Sequence, residues 1–142
     1  MKTLRKILVL GLVTAVFFSC KSDDDASSNS TTSLQGSWDL VNFSGTVSGF
    51  NIDYNIGDVI WTFNTSTLQL TVENNIVSTG PEDIFARYDT GIYSYQVVEI
   101  AGEDTLFIDG EDNGIIIFQN ASFQLTEAQS PADASFTTFE RR

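Results

Sequence analysis

Apolar residues recur at every second position in short runs along this chain, which is the period of a half-buried strand. Val59, Trp61 and Phe63 share one face of such a run, and Phe123 and Leu125 share one face of another. Gly, Asn and Asp, which favour turns, stand between the runs. The pattern predicts eight strands: Ser37–Thr46, Asp58–Asn64, Thr67–Glu73, Ile92–Ile100, Thr105–Asp109, Ile115–Gln119, Ser122–Thr126 and Ala134–Arg141.

The same alternation predicts which side chains face the core. Leu68, Leu70 and Val72 form one inward set, and Tyr93, Tyr95 and Val97 form another. The run from Ile115 to Phe118 is apolar on both faces, so either something covers its outer face or it is a central strand. A further short strand or turn is expected at Ile84–Tyr88, and no helix of any length is expected after the N-terminal segment.

The predicted fold is all-β, a single antiparallel up-and-down β-barrel of about eight strands. Many short strands joined by connections of a few residues favour closure, because a closed barrel leaves no exposed sheet edge. The barrel domain is assigned to residues 34–142, about 109 residues, which is enough to bury one core.

The first residues have the features of an export signal. Three basic residues lie among the first six, and the uncharged run Ile7–Phe18 is too short to span a hydrocarbon core of ~30 Å. The run ends in Phe17-Phe18-Ser19-Cys20, which resembles the lipobox of bacterial lipoproteins. The alternative is an ordinary secretory peptide whose cysteine falls near the cut by chance.

The lipobox resemblance implies that residues 1–19 are removed and that Cys20 carries a diacylglycerol and a further acyl chain such as palmitate. Two or more acyl chains anchor a protein stably to a membrane. Residues 20–33 are then a flexible acidic and Ser-rich tether. Its start, Lys21-Ser22-Asp23-Asp24-Asp25, resembles an export tag that directs lipoproteins to the outer face of the outer membrane. The alternative is a solvated linker that carries no targeting signal.

Composition excludes several classes of function. The chain has no histidine and a single cysteine, so it cannot build a Ser-His-Asp or Cys-His catalytic site or an intramolecular disulfide. Without residues 1–19 it retains four basic residues against 19 acidic ones, a formal charge of −15. Such a charge repels phosphate backbones, so no nucleic acid is expected as a partner. We expect no cofactor and no enzymatic activity.

Three segments resemble the lipocalin-like domains of bacterial lipoproteins. Leu34–Val41 matches an opening L-x-G-x-W-x-L pattern, Gly91–Val97 matches a central G-x-Y-x-Y strand, and Phe139-Glu140-Arg141 matches a closing F-x-R. The resemblance implies a barrel closed at one end by Gly36, Trp38, Phe139 and Arg141. Arg141 is expected over the Trp38 ring in a cation–π contact.

The same resemblance implies that the opposite end of the barrel takes a small, partly apolar ligand, with Trp61, Phe63, Tyr93 and Tyr95 as the lining residues. The alternative is that these four rings only fill the barrel. A solid barrel would favour a different function, in which surface loops contact a protein or glycan. Apolar side chains at the tip of loop Gly49–Gly57 suit either role: Phe50, Ile52 and Tyr54.

The segment Asp109–Gly114 has oxygen-bearing side chains at the spacing of a calcium loop. The twelfth position is Asn120 instead of the bidentate Glu that an EF-hand uses, and no flanking helices are expected. A tight hairpin turn with Asn113-Gly114 as its central pair explains the same residues, so no metal site is predicted.

Overall fold

The structure of the chain, a computed structural model, describes residues 34–46, 49–130 and 133–142. The predicted signal peptide, Cys20 and the tether lie outside the described residues. The strands are β1 Gly36–Gly45, β2 Asn51–Asp53, β3 Val59–Asn64, β4 Gln69–Asn74, β5 Gly91–Ile100, β6 Glu103–Ile108, β7 Glu111–Gln119, β8 Ser122–Ser130 and β9 Asp133–Arg141. A short helix, α1, spans Pro81–Phe85.

The sheet closes on itself. Consecutive strands from β3 to β9 pair antiparallel with their neighbours, and β1 pairs with both β3 and β9. Eight strands therefore form a closed up-and-down antiparallel barrel, which confirms the predicted fold class. Strand β2 is not one of these eight barrel strands. Among the described residues it pairs with the second half of β1, where Phe43 lies opposite Ile52.

Large side chains fill the inside of the barrel. The fully buried ones with the greatest volume include Trp38, Trp61, Tyr95, Phe63, Phe123 and Phe139. Trp38 of β1 lies directly opposite Trp61 of β3, so the two indoles occupy adjacent inward positions. Burying one such side chain contributes on the order of 1.5–3 kcal/mol, so these rings dominate the stability of the fold.

The prediction for Leu68 is wrong. Leu68 has φ +54° and its side chain is 44% exposed, so it belongs to the β3–β4 loop and not to an inward strand face. The Asn64 side-chain oxygen accepts hydrogen bonds from the backbone N–H groups of Ser66 and Thr67, at 3.0 and 3.2 Å. This turn holds the chain out of the ladder until Gln69, because asparagine competes with strand pairing for backbone donors.

Helix α1 stands where a short strand or turn was predicted. Pro81 opens it, and Glu82 and Asp83 lie in its first turn, where the positive end of the peptide dipoles favours acidic groups. Only Ile84 and Phe85 of the predicted Ile84–Tyr88 segment are helical. Strand β2 was not predicted because three residues carry too little alternation to be recognised.

The hairpin between β6 and β7 uses a different central pair from the one predicted. Asp109 and Gly110 have φ +49° and +86°, and the positive φ values are those of a two-residue hairpin turn. Asn113-Gly114 lies inside β7 instead, at a shift in register opposite Leu106. Gly114, with φ +98°, supplies the backbone conformation of that bulge.

Candidate functional site

Three of the four predicted lining residues lie together inside the barrel. Trp61 and Phe63 are 0% exposed and Tyr95 is 1% exposed. The Phe63 ring centroid lies 6.0 Å from that of Trp61 and 5.0 Å from that of Tyr95, both in edge-on geometry. These distances are those of rings in direct contact, so the three side chains pack against each other.

The fourth predicted residue, Tyr93, lies apart from this group. Its ring contacts Tyr88, with centroids 5.0 Å apart, and its hydroxyl donates to the Asp89 carbonyl at 2.9 Å. Tyr93 is partly exposed, and its hydrogen bond fastens the entry of β5. Its polar group is therefore already used by the protein itself.

Two polar atoms inside the barrel have no hydrogen-bond partner among the described residues. They are the indole nitrogen of Trp61 and the hydroxyl of Tyr95, both fully buried. Burial raises the pKa of the Tyr95 hydroxyl, because a phenolate would be poorly solvated there. An unpaired buried donor costs ~1–3 kcal/mol, so these atoms are places where a water or a ligand atom would be stabilised.

One end of the barrel, called the base, is closed by the residues at the start of β1 and the end of β9. The Arg141 guanidinium carbon lies 4.1 Å from the centroid of the Trp38 ring, the contact that the closing motif predicts. The Trp38 indole N–H donates to the Leu34 carbonyl at 2.8 Å, and Arg141 donates to the Gln35 carbonyl at 2.9 Å. An added Cβ on Gly36 would lie 3.3 Å from the Arg141 side chain, so a glycine leaves room for the guanidinium.

The opposite end, called the mouth, is covered by the connection between β4 and β5, residues 75–90, which we call the lid. Phe85 of the lid stacks on Phe43 of β1, with centroids 4.4 Å apart and planes 16° apart. Ala86 is fully buried, and the Tyr88 ring lies edge-on to Trp61 at 5.6 Å. The lid thus inserts side chains into the mouth and seals it from above.

Polar contacts fix the lid to the far wall of the mouth. Arg87 forms an ion pair with Glu127 of β8 and donates to the Asn113 side-chain oxygen of β7 at 3.3 Å. The Tyr88 hydroxyl donates to the same oxygen at 2.8 Å. Burial lowers the pKa of Arg87, and burial raises that of Tyr88. Buried charges are tolerated only when paired, so Arg87 is a specific latch between the lid and the wall.

A second contact joins the lid to the loop after β2. The Tyr54 hydroxyl donates to the Glu82 carbonyl of α1 at 3.0 Å. Burial, together with the negative charges of Glu82 and Asp83, raises the pKa of Tyr54 from 10.0 to about 12. Of the three apolar residues predicted for a loop tip, Tyr54 is buried, Ile52 is partly buried in β2, and only Phe50 is exposed.

Apolar side chains remain exposed beside the lid. Phe50 is 46% exposed and Ile84 is 70% exposed, and the Phe50 ring leans on Phe85 at 5.5 Å. We call Phe50, Ile84 and Phe85 the mouth patch. The sequence analysis identified Phe50 but missed the lid residues Phe85 and Arg87, whose contacts depend on distant strands. The Pro-Glu-Asp start of α1 was the local signal that could have revealed the helix.

The acidic segment Asp109–Gly114 is occupied by structural contacts. The Asp109 carboxylate accepts hydrogen bonds from the Ser94 backbone N–H and hydroxyl, both at 2.8 Å. The Asp112 carboxylate accepts from the Gly114 N–H at 2.8 Å. Within residues 34–46, 49–130 and 133–142, no cluster of three or more acidic, cysteine or histidine side chains is arranged to hold a metal ion.

Comparisons with known proteins found no relative of this chain. No family model, no curated protein and no solved structure matched the chain. Among the residues that the structure describes, no helix has the length and apolar character needed to cross a membrane. The closed antiparallel barrel is compatible with a lipocalin-like fold and with a binding module.

Proposed function

We propose that this chain is a non-catalytic interaction module, anchored to the outer membrane through lipid on Cys20 and facing outward, whose mouth patch contacts a protein or glycan partner. The observation that carries the proposal is a packed barrel with apolar side chains left exposed outside it. Phe50 and Ile84 are exposed while Trp61, Phe63 and Tyr95 are buried. The Phe50 ring contacts Phe85, the residue next to Ile84, so these apolar side chains are contiguous, and contiguous exposed apolar patches are typical of contact surfaces.

The packing inside the barrel argues against a resident ligand. Small-molecule sites usually occupy ~300–1,000 Å³. Three grooves on the described surface have volumes of about 460, 360 and 280 Å³, and none is lined by Trp61, Phe63, Tyr93 or Tyr95. The best supported role for these four rings is therefore to fill and stiffen the barrel wall and interior.

A second function, ligand carriage, is favoured by one specific observation. The Trp61 indole nitrogen and the Tyr95 hydroxyl are buried without partners in the described residues. A small molecule with an acceptor atom would satisfy both if the lid moved and the rings repacked. This candidate ranks second because it needs the Phe43–Phe85 stack and the Arg87 latch to break.

Native mass spectrometry separates the two functions. Residues 21–142 contain the whole closed barrel, so this soluble form is suitable for the measurement. We expect the mass of the bare chain and no saturable displacement of an apolar dye. A co-purified lipid, or dye displacement abolished by Trp61→Phe with Tyr95→Phe, would overturn the interaction proposal.

Photo-crosslinking tests the mouth patch directly. A photoreactive residue would replace Phe50 in the full-length protein in living cells, and Leu68 would serve as the matched control. Leu68 is 44% exposed against 46% for Phe50, but it lies in the β3–β4 loop at the base. We expect a discrete crosslinked product from position 50 and none from position 68. Equal products from both positions, or none from either, would contradict a contact surface at the mouth.

A further inference from the structure

The outer wall of the barrel has a row of residues, which we call the strip, that crosses four strands and alternates apolar side chains with threonines. Val98 of β5 lies opposite Thr105 of β6, which lies opposite Ile115 of β7, which lies opposite Thr126 of β8. Paired residues in antiparallel strands face the same side of a sheet. The inward residues of these strands include the buried Leu106 and Leu125, so the strip faces outward.

Exposure varies along this strip, because Thr105 is only 4% exposed and Ile115 and Thr126 are partly buried, whereas Val98 and its outward neighbours are exposed. Val98 is 40% exposed, Ile117 is 42% exposed and Ile100 is 48% exposed. The sequence analysis offered two explanations for the doubly apolar run Ile115–Phe118, an outer cover or a central strand. In the structure β7 does have a neighbour on each side, yet Ile117 still faces outward and is exposed. Its apolar outer face therefore remains to be explained.

Part of the strip lies in a groove of about 460 Å³, whose lining includes Ile100, Glu103, Thr105, Asp112, Ile115 and Thr126. Val98 lines a separate groove of about 280 Å³. The bulge in β7 shapes it, because a bulge bends its strand and increases the local twist. At this bulge β7 comes so close to β8 that an added Cβ on Gly114 would lie 2.6 Å from the Thr126 carbonyl oxygen.

The groove is acidic as well as apolar. Glu103 lies opposite Ile100 and Asp112 lies opposite Phe107, so both carboxylates are on the outer face, and both are exposed. A third lining carboxylate, Glu127, is already paired with Arg87. No lysine or arginine lines the groove. Two exposed carboxylates beside apolar side chains complement a cation that is adjacent to an apolar group.

The groove also contains an unused polar atom. The Thr126 hydroxyl oxygen is buried and has no hydrogen-bond partner among the described residues. A hydroxyl can donate or accept, but because this one is buried, a backbone group of a docked segment would reach it only after a neighbouring side chain moved. This hydroxyl is independent of the carboxylates, and it marks the floor of the groove.

We propose that this groove docks a partner segment in which an apolar side chain stands next to lysine or arginine. The apolar side chain lies on Ile100 and Ile115, and the cation pairs with Glu103 or Asp112. A second copy of the chain is a poor occupant, because each copy without residues 1–19 carries a formal charge of −15. The chain's own residues 20–33 are rich in Ser and Asp, and their one basic residue, Lys21, has no leucine, isoleucine, valine or aromatic residue beside it. The site is distinct from the mouth patch, so its test stands apart from the proposed function.

Nuclear magnetic resonance with defined peptides tests the groove. The probe is an acetylated, amidated Gly-Lys-Leu-Lys-Leu-Lys-Gly, titrated into isotope-labelled residues 21–142. We expect saturable shifts at the amides of Thr105, Ile115 and Thr126. Two control peptides, with glutamate in place of lysine or serine in place of leucine, should bind at least fivefold more weakly.

Variants decide where the probe binds. Glu103→Gln and Ile115→Ser should each weaken binding at least threefold, and raising the salt concentration should weaken it further. Glu73→Gln and Ile92→Ser are matched controls on exposed residues outside the groove and should change nothing. Because Glu103 is exposed, its variant remains informative if Ile115→Ser unfolds. Unchanged binding by Glu103→Gln, equal binding of the glutamate peptide, or the absence of saturable shifts would each overturn the proposal. Shifts at Phe50 instead would overturn the groove and leave the mouth patch standing.

Discussion

At the scale of single residues, the base is held by one stacked pair. Arg141 lies over Trp38 and also donates to the Gln35 carbonyl, so its guanidinium closes the barrel with its charge and its donors together. Its neighbour Arg142 is 47% exposed and reaches Asp39 only at 3.8 Å. The two adjacent arginines therefore differ in what they contribute, in line with the closing F-x-R motif, which includes Arg141 and not Arg142.

Replacing Arg141 with methionine should destabilise the fold. The cation–π contact is worth ~0.5–2 kcal/mol, and a lost hydrogen bond adds ~0.5–1.5 kcal/mol. Urea denaturation would measure the free energy of unfolding. Arg142→Met is the comparison and should cost less, because Arg142 is half-exposed, its contact with the buried Asp39 is long at 3.8 Å, and Asp39 also accepts a hydrogen bond from the Gly57 N–H. Equal effects of the two substitutions would show that the stacked pair does not close the base.

Gly114→Ala should destabilise the protein more than Gly102→Ala. Both glycines have positive φ values, +98° and +87°, so alanine is strained at either position by ~1–2 kcal/mol. Only at Gly114 would the new Cβ also meet a backbone atom at 2.6 Å, whereas nothing lies within 4 Å at Gly102. Thermal unfolding of both variants isolates the steric part. A smaller loss for Gly114→Ala would mean that β7 and β8 can separate freely at the bulge.

At the scale of elements, the lid determines whether the mouth of the barrel is open or covered. Phe85 stacks on Phe43, Arg87 reaches β7 and β8, and the Glu82 carbonyl receives the Tyr54 hydroxyl. Three kinds of contact thus hold a segment that contains only five helical residues. Because an isolated helix of this length is unstable in water, the lid depends on these contacts for its structure.

The raised pKa values of the tyrosines predict how the stability of the folded state changes at alkaline pH. The pKa of Tyr54 is raised from 10.0 to about 12, so the folded state holds its proton where the unfolded state loses it. Stability from this group is complete below pH 10 and is lost as the pH rises towards 12. Burial raises the pKa of Tyr88 and Tyr95 in the same direction. Phenolate absorbance should therefore rise at a higher pH in native than in denatured protein. Tyr54→Phe should remove part of the absorbance that appears only at the higher pH. Native and denatured titrations that coincide would contradict this.

The elements that could be predicted from sequence are those whose partners are regular. Alternation located all eight barrel strands, because a strand buried on one face repeats every second residue. Strand β2 could not be found in this way, since Asn51–Asp53 pairs only because β1 extends beyond β3. The sequence contains two dipeptides that favour a hairpin turn, Asp109-Gly110 and Asn113-Gly114, and the prediction chose the second. The register of β6 against β7 decides between them, and the sequence pattern does not show that register.

At the scale of the whole molecule, the site was harder to predict than the fold. The sequence placed Trp61, Phe63 and Tyr95 on inward faces, and they are there. It could not show that the lid would cover them, because Phe43 and Phe85 meet only after the strands between them have paired. The outer groove depends on a bulge and on four strands in register, which no local pattern encodes.

Membrane attachment is the property of the whole chain that we propose from its first residues. We expect Cys20→Ala to move the protein from the detergent phase to the aqueous phase in a detergent phase-separation experiment, because no other acyl acceptor of this kind exists in the chain. The formal charge of −15 after removal of residues 1–19 disfavours adhesion to anionic lipid. Incorporation of labelled palmitate would report the same modification. A Cys20→Ala protein that still enters the detergent phase would contradict lipid anchoring at this residue.

The pairing of β1 with β9 brings Trp38 beside Arg141, so the polypeptide enters and leaves the barrel on one rim. A fluorophore, bead or fusion partner joined before Leu34 or after Arg142 therefore occupies the same hemisphere. Immobilising the domain through either terminus presents the opposite hemisphere, with its covering segment, to the solution. Sensor measurements made with the domain attached through its N-terminal end and through its C-terminal end should consequently agree.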